Sequence, residues 1–290
     1  MKLAPAAWPV AAAPEWFEWA VQQPRQSHFA DAAGTRIHYV SWNAAETHKP
    51  GLLFLHGFLG HSHWWDFIAP FFTERFRVYA LDFSGMGDSQ ARSEYATGSF
   101  IFDIAAVMRD AGIAPGIAVG HSFGGSRLLQ ACALQPETIR RAIVLDSYFA
   151  FEGEEHARHE RRPAPRPYPD EATGIARFRL LPEQDCPAWM FDYIARRSLR
   201  RADGGWTWRF DPLLRQLEPP EGDLRMLERI RVPVDYVHAE CSAIIDAERA
   251  RRIVAAIPGA RGPVTLARAH HHLMLDQPLA LVAALRALLA

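Results

Sequence analysis

The feature that most constrains the fold is a series of short, largely apolar segments separated by longer amphipathic ones. The apolar segments are residues 51–55, 77–81, 116–119, 142–145 and 232–238. Runs of this length and composition are typical of strands buried on both faces of a parallel sheet. Stretches with helical periodicity, such as 100–111 and 126–134, lie between them. Strands that alternate with helices predict an α/β fold with a mostly parallel, doubly wound sheet.

The alternation is interrupted between about residues 148 and 225, where charged residues and prolines accumulate. Helix-like stretches at 187–201 and 213–216 lie in this insertion, near several tryptophans. An insertion after a sheet strand can cover a cleft at the carboxyl ends of the strands, so we predict a helical cap (lid). The alternative is a surface excursion with a solvated Pro/Arg linker at 161–167. The predicted units are a first part of the core, the cap, and a second part of the core, at residues 1–147, 148–225 and 226–290.

Charge and composition exclude several classes of protein. The 290 residues carry 32 basic and 33 acidic side chains, a net charge of −1, so no global field attracts a phosphate backbone and no nucleic-acid partner is expected. No apolar run is long enough to cross a membrane. Pro5 and Pro9 interrupt the apolar N-terminus, which argues against a secretory signal. Three widely separated cysteines predict neither disulfides nor a zinc site, so we expect a cytoplasmic protein. We expect either a monomer or a small homo-oligomer.

The strongest local motif is Gly120-His-Ser122-Phe-Gly124, which follows an apolar strand and precedes a helix. A sharp turn from strand to helix leaves no room for side chains two residues before or after the serine. Such a turn raises the serine hydroxyl above the sheet in a strained conformation. The pattern predicts that Ser122 is a nucleophile rather than an incidental serine in a glycine-rich turn.

An activated serine also needs a base and donors for an oxyanion. His56-Gly57-Phe58 follows the strand at 51–55, so the predicted donors are the backbone N–H groups of Phe58 and of Phe123, the residue after Ser122. Candidates for the base are the adjacent residues His270, His271 and His272. Neighbouring residues point in different directions, and no second ligand cluster accompanies them, so we predict neither a metal site nor a cofactor.

Over nearly its whole length the chain resembles an α/β-hydrolase with a cap domain. Four motifs carry the resemblance: His56-Gly57, the segment from Asp82 to Ser89, the Ser122 elbow, and the terminal His…Asp276-Gln-Pro. The resemblance implies that the catalytic histidine stands five residues before Asp276, at His271. It also implies that the segment from Asp82 to Ser89 is a structural turn, to which we assign no catalytic role.

The position of the triad acid departs from the pattern of the family. The resemblance implies an acid in the turn after the strand at 232–238, but Ser242 or Ala243 occupies that position. Some members of the family carry the acid one strand after the nucleophile, where this chain has Asp146. We therefore predict a triad of Ser122, His271 and Asp146, with Glu240 and Asp246 as the other candidates for the acid.

A serine at the elbow also limits the reaction. Relatives that open epoxides or displace halide use aspartate there, so the resemblance favours acyl transfer to water. We expect an esterase-like serine hydrolase that acts on a small, largely apolar substrate, with Trp64, Trp65 and Tyr148 lining the cleft unless they belong to the core. One alternative is a carbon–carbon bond hydrolase acting on a diketone; an arginine that faces the cleft, such as Arg127, would favour it. The other is a non-catalytic small-molecule sensor.

Overall fold

The computed structural model describes residues 12–96, 98–151, 166–216 and 224–290. The first residues of the apolar N-terminus and most of the predicted Pro/Arg linker lie outside these ranges. The described strands, in chain order, are β1 (Gln26–Ala32), β2 (Thr35–Trp42), β3 (Gly51–Leu55), β4 (Arg77–Leu81), β5 (Gly116–His121), β6 (Ile139–Leu145), β7 (Leu199–Ala202), β8 (Gly205–Trp208), β9 (Val234–Ala239) and β10 (Arg261–Leu266).

The helices pack around these strands. The α-helices are α1 (Glu15–Val21), α2 (Ser99–Asp110), α3 (Phe123–Leu134), α4 (Glu171–Ile175), α5 (Ala188–Arg197), α6 (Leu224–Leu227), α7 (Ala247–Ala256), α8 (Leu273–Asp276) and α9 (Pro278–Leu288). Short 3₁₀ helices cover Ser62–Trp65, Ala69–Phe72 and Pro212–Gln216. No helix within the described residues has the length and apolarity needed to cross a lipid bilayer.

Eight strands form one sheet in the order β1-β2-β4-β3-β5-β6-β9-β10. The pairs from β4 through to β10 are parallel, whereas β2 runs antiparallel to both of its neighbours. All five residues of β3 are buried, as its apolar sequence predicts for a strand covered on both faces. The predicted α/β class and mostly parallel sheet are confirmed.

Two hydrophobic clusters lie on opposite faces of the sheet. Leu52 and Phe54 of β3 belong to one cluster, with apolar residues of α1, α5 and α9. Leu53 and Leu55 belong to the other, with apolar residues of α2, α3 and α7. Side chains alternate between the faces of a strand, so this division shows that helices cover both faces. The sheet is therefore doubly wound.

The insertion between β6 and β9 contains α4, α5 and a β-hairpin formed by β7 and β8. The sequence predicted one helix over 187–201, but α5 ends at Arg197 and the following residues form the first strand of the hairpin. Asp203-Gly204 connects the two strands, and Gly204 has a φ of 82°. An Asp-Gly pair favours a tight hairpin turn, because glycine adopts positive φ without steric cost.

Backbone and side-chain hydrogen bonds join the insertion to the core. The Gly87 N–H donates to the Arg209 carbonyl at 2.8 Å, and the Asp211 N–H donates to the Gly85 carbonyl at 2.7 Å. The Tyr193 hydroxyl donates to the buried Asp66 carboxylate at 2.7 Å. These contacts fix the position of the insertion over the carboxyl ends of the strands.

Trp65 provides a test of the packing on one face of the sheet. Its side chain is fully buried, and its ring centroid lies 4.9 Å from that of Phe54. We expect Trp65→Ala to lower the free energy of unfolding by about 3–5 kcal/mol, because the substitution removes a large buried side chain and leaves a cavity. Urea unfolding measures this change. Trp19→Ala removes a tryptophan that is 44% exposed and should cost less than about 1 kcal/mol. Equal losses in the two variants would contradict the assignment of Trp65 to the core.

Candidate active site

The strand register brings the predicted site residues to one edge of the sheet. Leu55 pairs with Gly120, and His121 pairs with Leu145, which in turn pairs with Val237. The residues that follow β3, β5 and β6 therefore leave the sheet side by side. Ser122 and Asp146 are the first residues after two adjacent parallel strands, in the crevice where α/β proteins bind ligands.

The turn that carries Ser122 is tight and strained. Ser122 has a φ of 51° and a ψ of −116°, and α3 begins at the next residue. A Cβ atom on Gly120 would lie 2.7 Å from the carbonyl oxygen of Gly124, and one on Gly124 would lie 2.6 Å from the carbonyl oxygen of His56. Backbone segments meet here at distances that exclude side chains, which explains the glycines on either side of the serine.

Ser122, His271 and Asp146 form a continuous hydrogen-bonded relay. His271 Nε2 lies 2.9 Å from Ser122 Oγ, and His271 Nδ1 lies 2.8 Å from Asp146 Oδ2. Because the carboxylate accepts, the ring proton is on Nδ1, and Nε2 is left to accept from the serine hydroxyl. The His271 side chain is 4% exposed and that of Asp146 is fully buried. A base that is oriented in this way can take the proton of Ser122.

Further hydrogen bonds hold Asp146 in place. Its Oδ1 accepts from the Ala239 N–H at 3.0 Å, and its Oδ2 accepts from Ser242 Oγ at 2.5 Å. Ser242, at the position where the resemblance implies an acid, is thus a hydrogen-bond donor to the acid on the neighbouring strand. No local pattern indicates this role for Ser242, because the contact joins residues that are 96 positions apart.

The two other candidate acids do not contact His271. Glu240 accepts from the Arg268 N–H at 2.7 Å. Asp246 caps the N-terminus of α7 by accepting from the Arg249 N–H at 2.7 Å. Both carboxylates therefore accept from backbone N–H groups away from the relay, one in the loop after β10 and the other in the first turn of α7.

The three consecutive histidines have different surroundings. His270 is half-exposed and pairs with Asp276 through Nδ1 at 2.7 Å, and burial raises the pKa of that carboxyl group. The His272 ring lies at the wall of a cavity, and burial, with a smaller contribution from His271, lowers its pKa to about 3. Only the ring of His271, of these three, reaches Ser122.

The turn that contains Phe58 lies against the nucleophile. A Cβ atom on Gly57 would lie 3.6 Å from Ser122 Cβ, and the Phe58 and Phe123 rings are 5.4 Å apart. In the described part of the chain, neither the Phe58 N–H nor the Phe123 N–H donates to a protein acceptor. The Phe123 N–H is also the first of α3, where helix N–H groups lack internal partners. Both amides are therefore available as donors beside Ser122.

Two buried neutral histidines support these turns. His56 Nε2 accepts from the Phe83 N–H at 3.1 Å, which places the ring proton on Nδ1, and Nδ1 donates to the Gly57 carbonyl at 2.7 Å. His121 Nε2 donates to the His271 carbonyl at 2.8 Å. Burial lowers the pKa of both rings, so both are neutral near pH 7.

Asp82 stabilises the turn that ends at Ser89 through hydrogen bonds. It accepts from the Ser62 and Asp88 N–H groups and from His38 Nδ1. Burial alone would raise its pKa, but the hydrogen bonds and the neighbouring histidines hold the pKa below its usual value. Asp82 contacts none of the three relay residues.

A cavity of about 230 Å³ opens above Ser122 and His271. Core residues Phe58, Leu59 and Trp64 line one side. The insertion supplies half of the lining, with three aromatic side chains, two leucines, one serine and three arginines: Phe178, Trp208, Phe210, Leu180, Leu181, Ser198, Arg177, Arg179 and Arg215. The insertion therefore forms a large part of the wall around the serine.

Of the side chains predicted for the cleft, Trp64 lines this cavity, whereas Trp65, Tyr148 and the alternative candidate Arg127 do not. Trp64 lines the cavity, but Trp65 points into the core instead, because adjacent residues of a 3₁₀ helix face different directions. Tyr148 lies outside this cavity, with the Arg249 guanidinium 4.7 Å from its ring centroid. Arg127 is also absent from the lining: it is buried, with its guanidinium 4.8 Å from the Phe123 ring centroid.

The described residues include two groups with metal-ligand atoms within 4.8 Å of one another, namely His121 with His271 and His272, and His38 with Asp82 and Asp88. The sequence did not indicate that His121 belongs to the first group, because the fold brings it there from the end of β5. His271 already uses both ring nitrogens in the relay, and His38 Nδ1 is bonded to Asp82. A metal ion at the first group would displace Ser122 from His271.

Known proteins that resemble this chain include hydrolases of several kinds. Human epoxide hydrolase 4 is 32% identical over 117 residues, which cover 39% of this chain and 32% of the human protein's length. Esterase Rv0045c of Mycobacterium tuberculosis is 23% identical over 252 residues, 83% of each chain.

Solved structures share the fold. The thioesterase domain from the curacin biosynthetic pathway has a TM-score of 0.74 at 24% identity, and covers 91% of this chain and 99% of its own. Carboxylesterase CesB (YbfK) of Bacillus subtilis has a TM-score of 0.70 at 20% identity, with coverage of 95% and 96%.

A match to a protein-family model identifies the family of this chain. The model described as "Alpha/beta hydrolase family" matches residues 52–285. The match spans most of the chain and includes Ser122, Asp146 and His271. The chain therefore belongs to the alpha/beta hydrolase family.

Proposed function

We propose that the protein is a serine hydrolase that cleaves a carboxylic ester or a related acyl bond through an acyl-enzyme on Ser122. The observation that carries the proposal is the Ser122–His271–Asp146 relay, with distances of 2.9 and 2.8 Å, at the base of a cavity. Membership of the hydrolase family supports it. The esterase named among the relatives and the carboxylesterase among the similar structures are consistent with it.

In the proposed first half-reaction, Ser122 Oγ attacks the acyl carbon while His271 Nε2 takes the hydroxyl proton. Asp146 accepts from Nδ1 and stabilises the imidazolium that forms. The Phe58 and Phe123 N–H groups donate to the oxygen that becomes negatively charged. His271 then donates its proton to the leaving group, and the acyl-enzyme remains.

In the second half-reaction, water replaces the leaving group. His271 removes a proton from the water, which attacks the acyl-enzyme carbonyl, and the same two amides stabilise the second oxyanion. Collapse of this intermediate breaks the bond to Ser122 Oγ, which recovers a proton from His271. The products are the carboxylic acid and the free enzyme.

We further propose that the insertion between β6 and β9 acts as a cap that selects the substrate. Its residues line much of the cavity, and the Gln184 side chain bonds both the N–H and the carbonyl of His272, at 2.8 and 3.3 Å. The cap is thus attached to the loop that carries the base. A cavity shaped by the cap can distinguish substrates without changing the relay.

A carbon–carbon bond hydrolase is the second candidate. Such an enzyme acts on an acidic diketone and would use a cationic group in the cleft. Arg127 does not line the cavity, but Arg177, Arg179 and Arg215 do. Epoxide opening is less compatible with this chain, because an alkyl-enzyme ester requires a carboxylate nucleophile, and the elbow carries a serine.

A fluorophosphonate tests whether Ser122 is activated. We expect intact-mass spectrometry to show a single adduct on the native protein and none on Ser122→Ala. Ser198→Ala is the matched control, because this cavity serine donates to the Ile194 carbonyl and should not be the nucleophile; the adduct should persist. If the folded native protein forms no adduct, the serine is dormant and the small-molecule sensor becomes the better reading.

Asp146→Asn tests the acid. The amide of asparagine is neutral and cannot stabilise the imidazolium as a carboxylate does. We therefore expect kcat for a 4-nitrophenyl ester to fall roughly 10³–10⁴-fold. Glu240→Gln, which alters an acid in a nearby loop, should keep near-native kcat. Circular dichroism of both variants checks that they are folded. Near-native turnover by Asp146→Asn would remove this residue from the proposed triad.

A substrate comparison separates the reaction classes. We expect hydrolysis of 4-nitrophenyl butyrate, and no cleavage of a vinylogous diketone or of styrene oxide, by the native protein. Ser122→Ala should lose the ester activity, which excludes hydrolysis by a contaminant. Diketone cleavage faster than ester hydrolysis, and dependent on Ser122, would replace the ester proposal with the carbon–carbon one.

A further inference from the structure

The charged residues of the cavity all have the same sign. Three of its lining residues, Arg177, Arg179 and Arg215, are cationic, and none of the lining residues is an aspartate or glutamate. The whole chain has a net charge of −1 and nearly equal numbers of acidic and basic side chains. A local excess of three positive charges at the cavity above Ser122 therefore does not reflect the average composition.

These three arginines also lack carboxylate partners among the described residues. Arg179 donates only to the carbonyls of Ala176 and Phe178, and the Arg215 guanidinium lies 5.1 Å from the Phe210 ring centroid. Other arginines of the insertion are neutralised: Arg196 pairs with Asp192, and Arg209 pairs with Asp88. Exposed arginines outside the cavity, such as Arg200, likewise have no carboxylate partner among the described residues, so the distinguishing feature is the grouping of three arginines and no acid around one cavity.

Two of these arginines lie in a segment of the insertion in which exposed and buried side chains alternate. Arg177 and Arg179 alternate along the chain with the buried side chains of Phe178 and Leu180. The alternation directs the two arginines away from the core that holds the intervening side chains. A substrate that fills the cavity would therefore meet both apolar side chains and guanidinium groups of the insertion.

We propose that the substrate carries an anionic group, a carboxylate or a phosphate, and that Arg177, Arg179 and Arg215 bind it while the acyl carbon lies at Ser122. The inference rests on the proposed hydrolysis of an ester or a related acyl bond. Guanidinium groups recognise carboxylates and phosphates through paired, charge-assisted hydrogen bonds. The cavity volume of about 230 Å³ fits a small acyl group better than a long chain.

Two pairs of substrates test the proposal, each pair differing in one charge. The carboxylate pair is mono-4-nitrophenyl glutarate and its methyl ester. The phosphate pair is S-butyryl-4′-phosphopantetheine and S-butyrylpantetheine. We expect kcat/KM of the native protein to favour the anionic member of one pair by about tenfold or more, because hydrogen bonds to charged groups are stronger than neutral ones. The pair that shows the preference identifies the anion.

Arginine variants locate the origin of the preference. Arg177→Gln, Arg179→Gln and Arg215→Gln should each reduce the ratio of kcat/KM for the anionic member to kcat/KM for the neutral member, and at least one should reduce it about tenfold. The matched control is Arg200→Gln, which alters an exposed arginine of the same insertion outside the cavity and should keep the native preference. Raising NaCl from 0.05 to 0.5 M should lower the preference of the native protein, because salt screens the charges.

The failure of this inference is distinguishable from the failure of the proposed function. Hydrolysis of the neutral ester without any anionic preference, or a preference that survives in all three arginine variants, would overturn the anion site and leave the hydrolase proposal intact. Calorimetric titration of Ser122→Ala with the same substrates does not require turnover. Tighter binding of an anionic member that is lost when at least one of the three Arg→Gln substitutions is added to Ser122→Ala supports the site. Equal binding of both members of each pair, or tighter binding that survives all three additions, overturns it.

Discussion

The carboxylate of Asp146 is the interaction on which the arrangement of the site depends. It is fully buried and receives hydrogen bonds from the end of β9, from the following loop and from the loop after β10. A buried carboxylate without partners would be costly, so these donors are held near it, and with them the ends of the strands. One charge therefore fixes the loops that carry Ser242 and His271, besides orienting the base.

The same network explains how the chain can lack an acid after β9. Ser242 donates a hydrogen bond to Asp146, so these two residues, which follow adjacent strands, lie next to each other. A carboxylate on either strand could meet His271 Nδ1, and a hydroxyl on the other can then act as its donor. The requirement is for one negative charge near the imidazole and for donors that compensate its burial, not for an acid on one particular strand.

The parts of the site that depend on local sequence could be predicted, and those that depend on packing could not. The elbow at Ser122 follows from steric limits within five residues, and the strands from short apolar runs. Trp64 and Trp65 are indistinguishable by sequence, and only packing on Phe54 directs the second into the core. The hairpin of the insertion had a local signal, Asp203-Gly204, but the helical reading extended over its first strand. The cationic lining depends on how the insertion folds over the core.

The core and the insertion contribute different kinds of interaction to the site. The core holds the relay through backbone contacts that tolerate no side chain at Gly120 or Gly124, so these positions have little freedom to vary. The insertion contributes long side chains, such as Arg179 and Arg215, that make no hydrogen bond to the relay residues within the described part of the chain. Because arginine keeps its charge over the whole physiological pH range, a cavity lined by three of them stays positive over that range. The proposed selection by charge is therefore separable from the proposed chemistry, and we expect a change in the insertion alone to alter which substrate reaches Ser122.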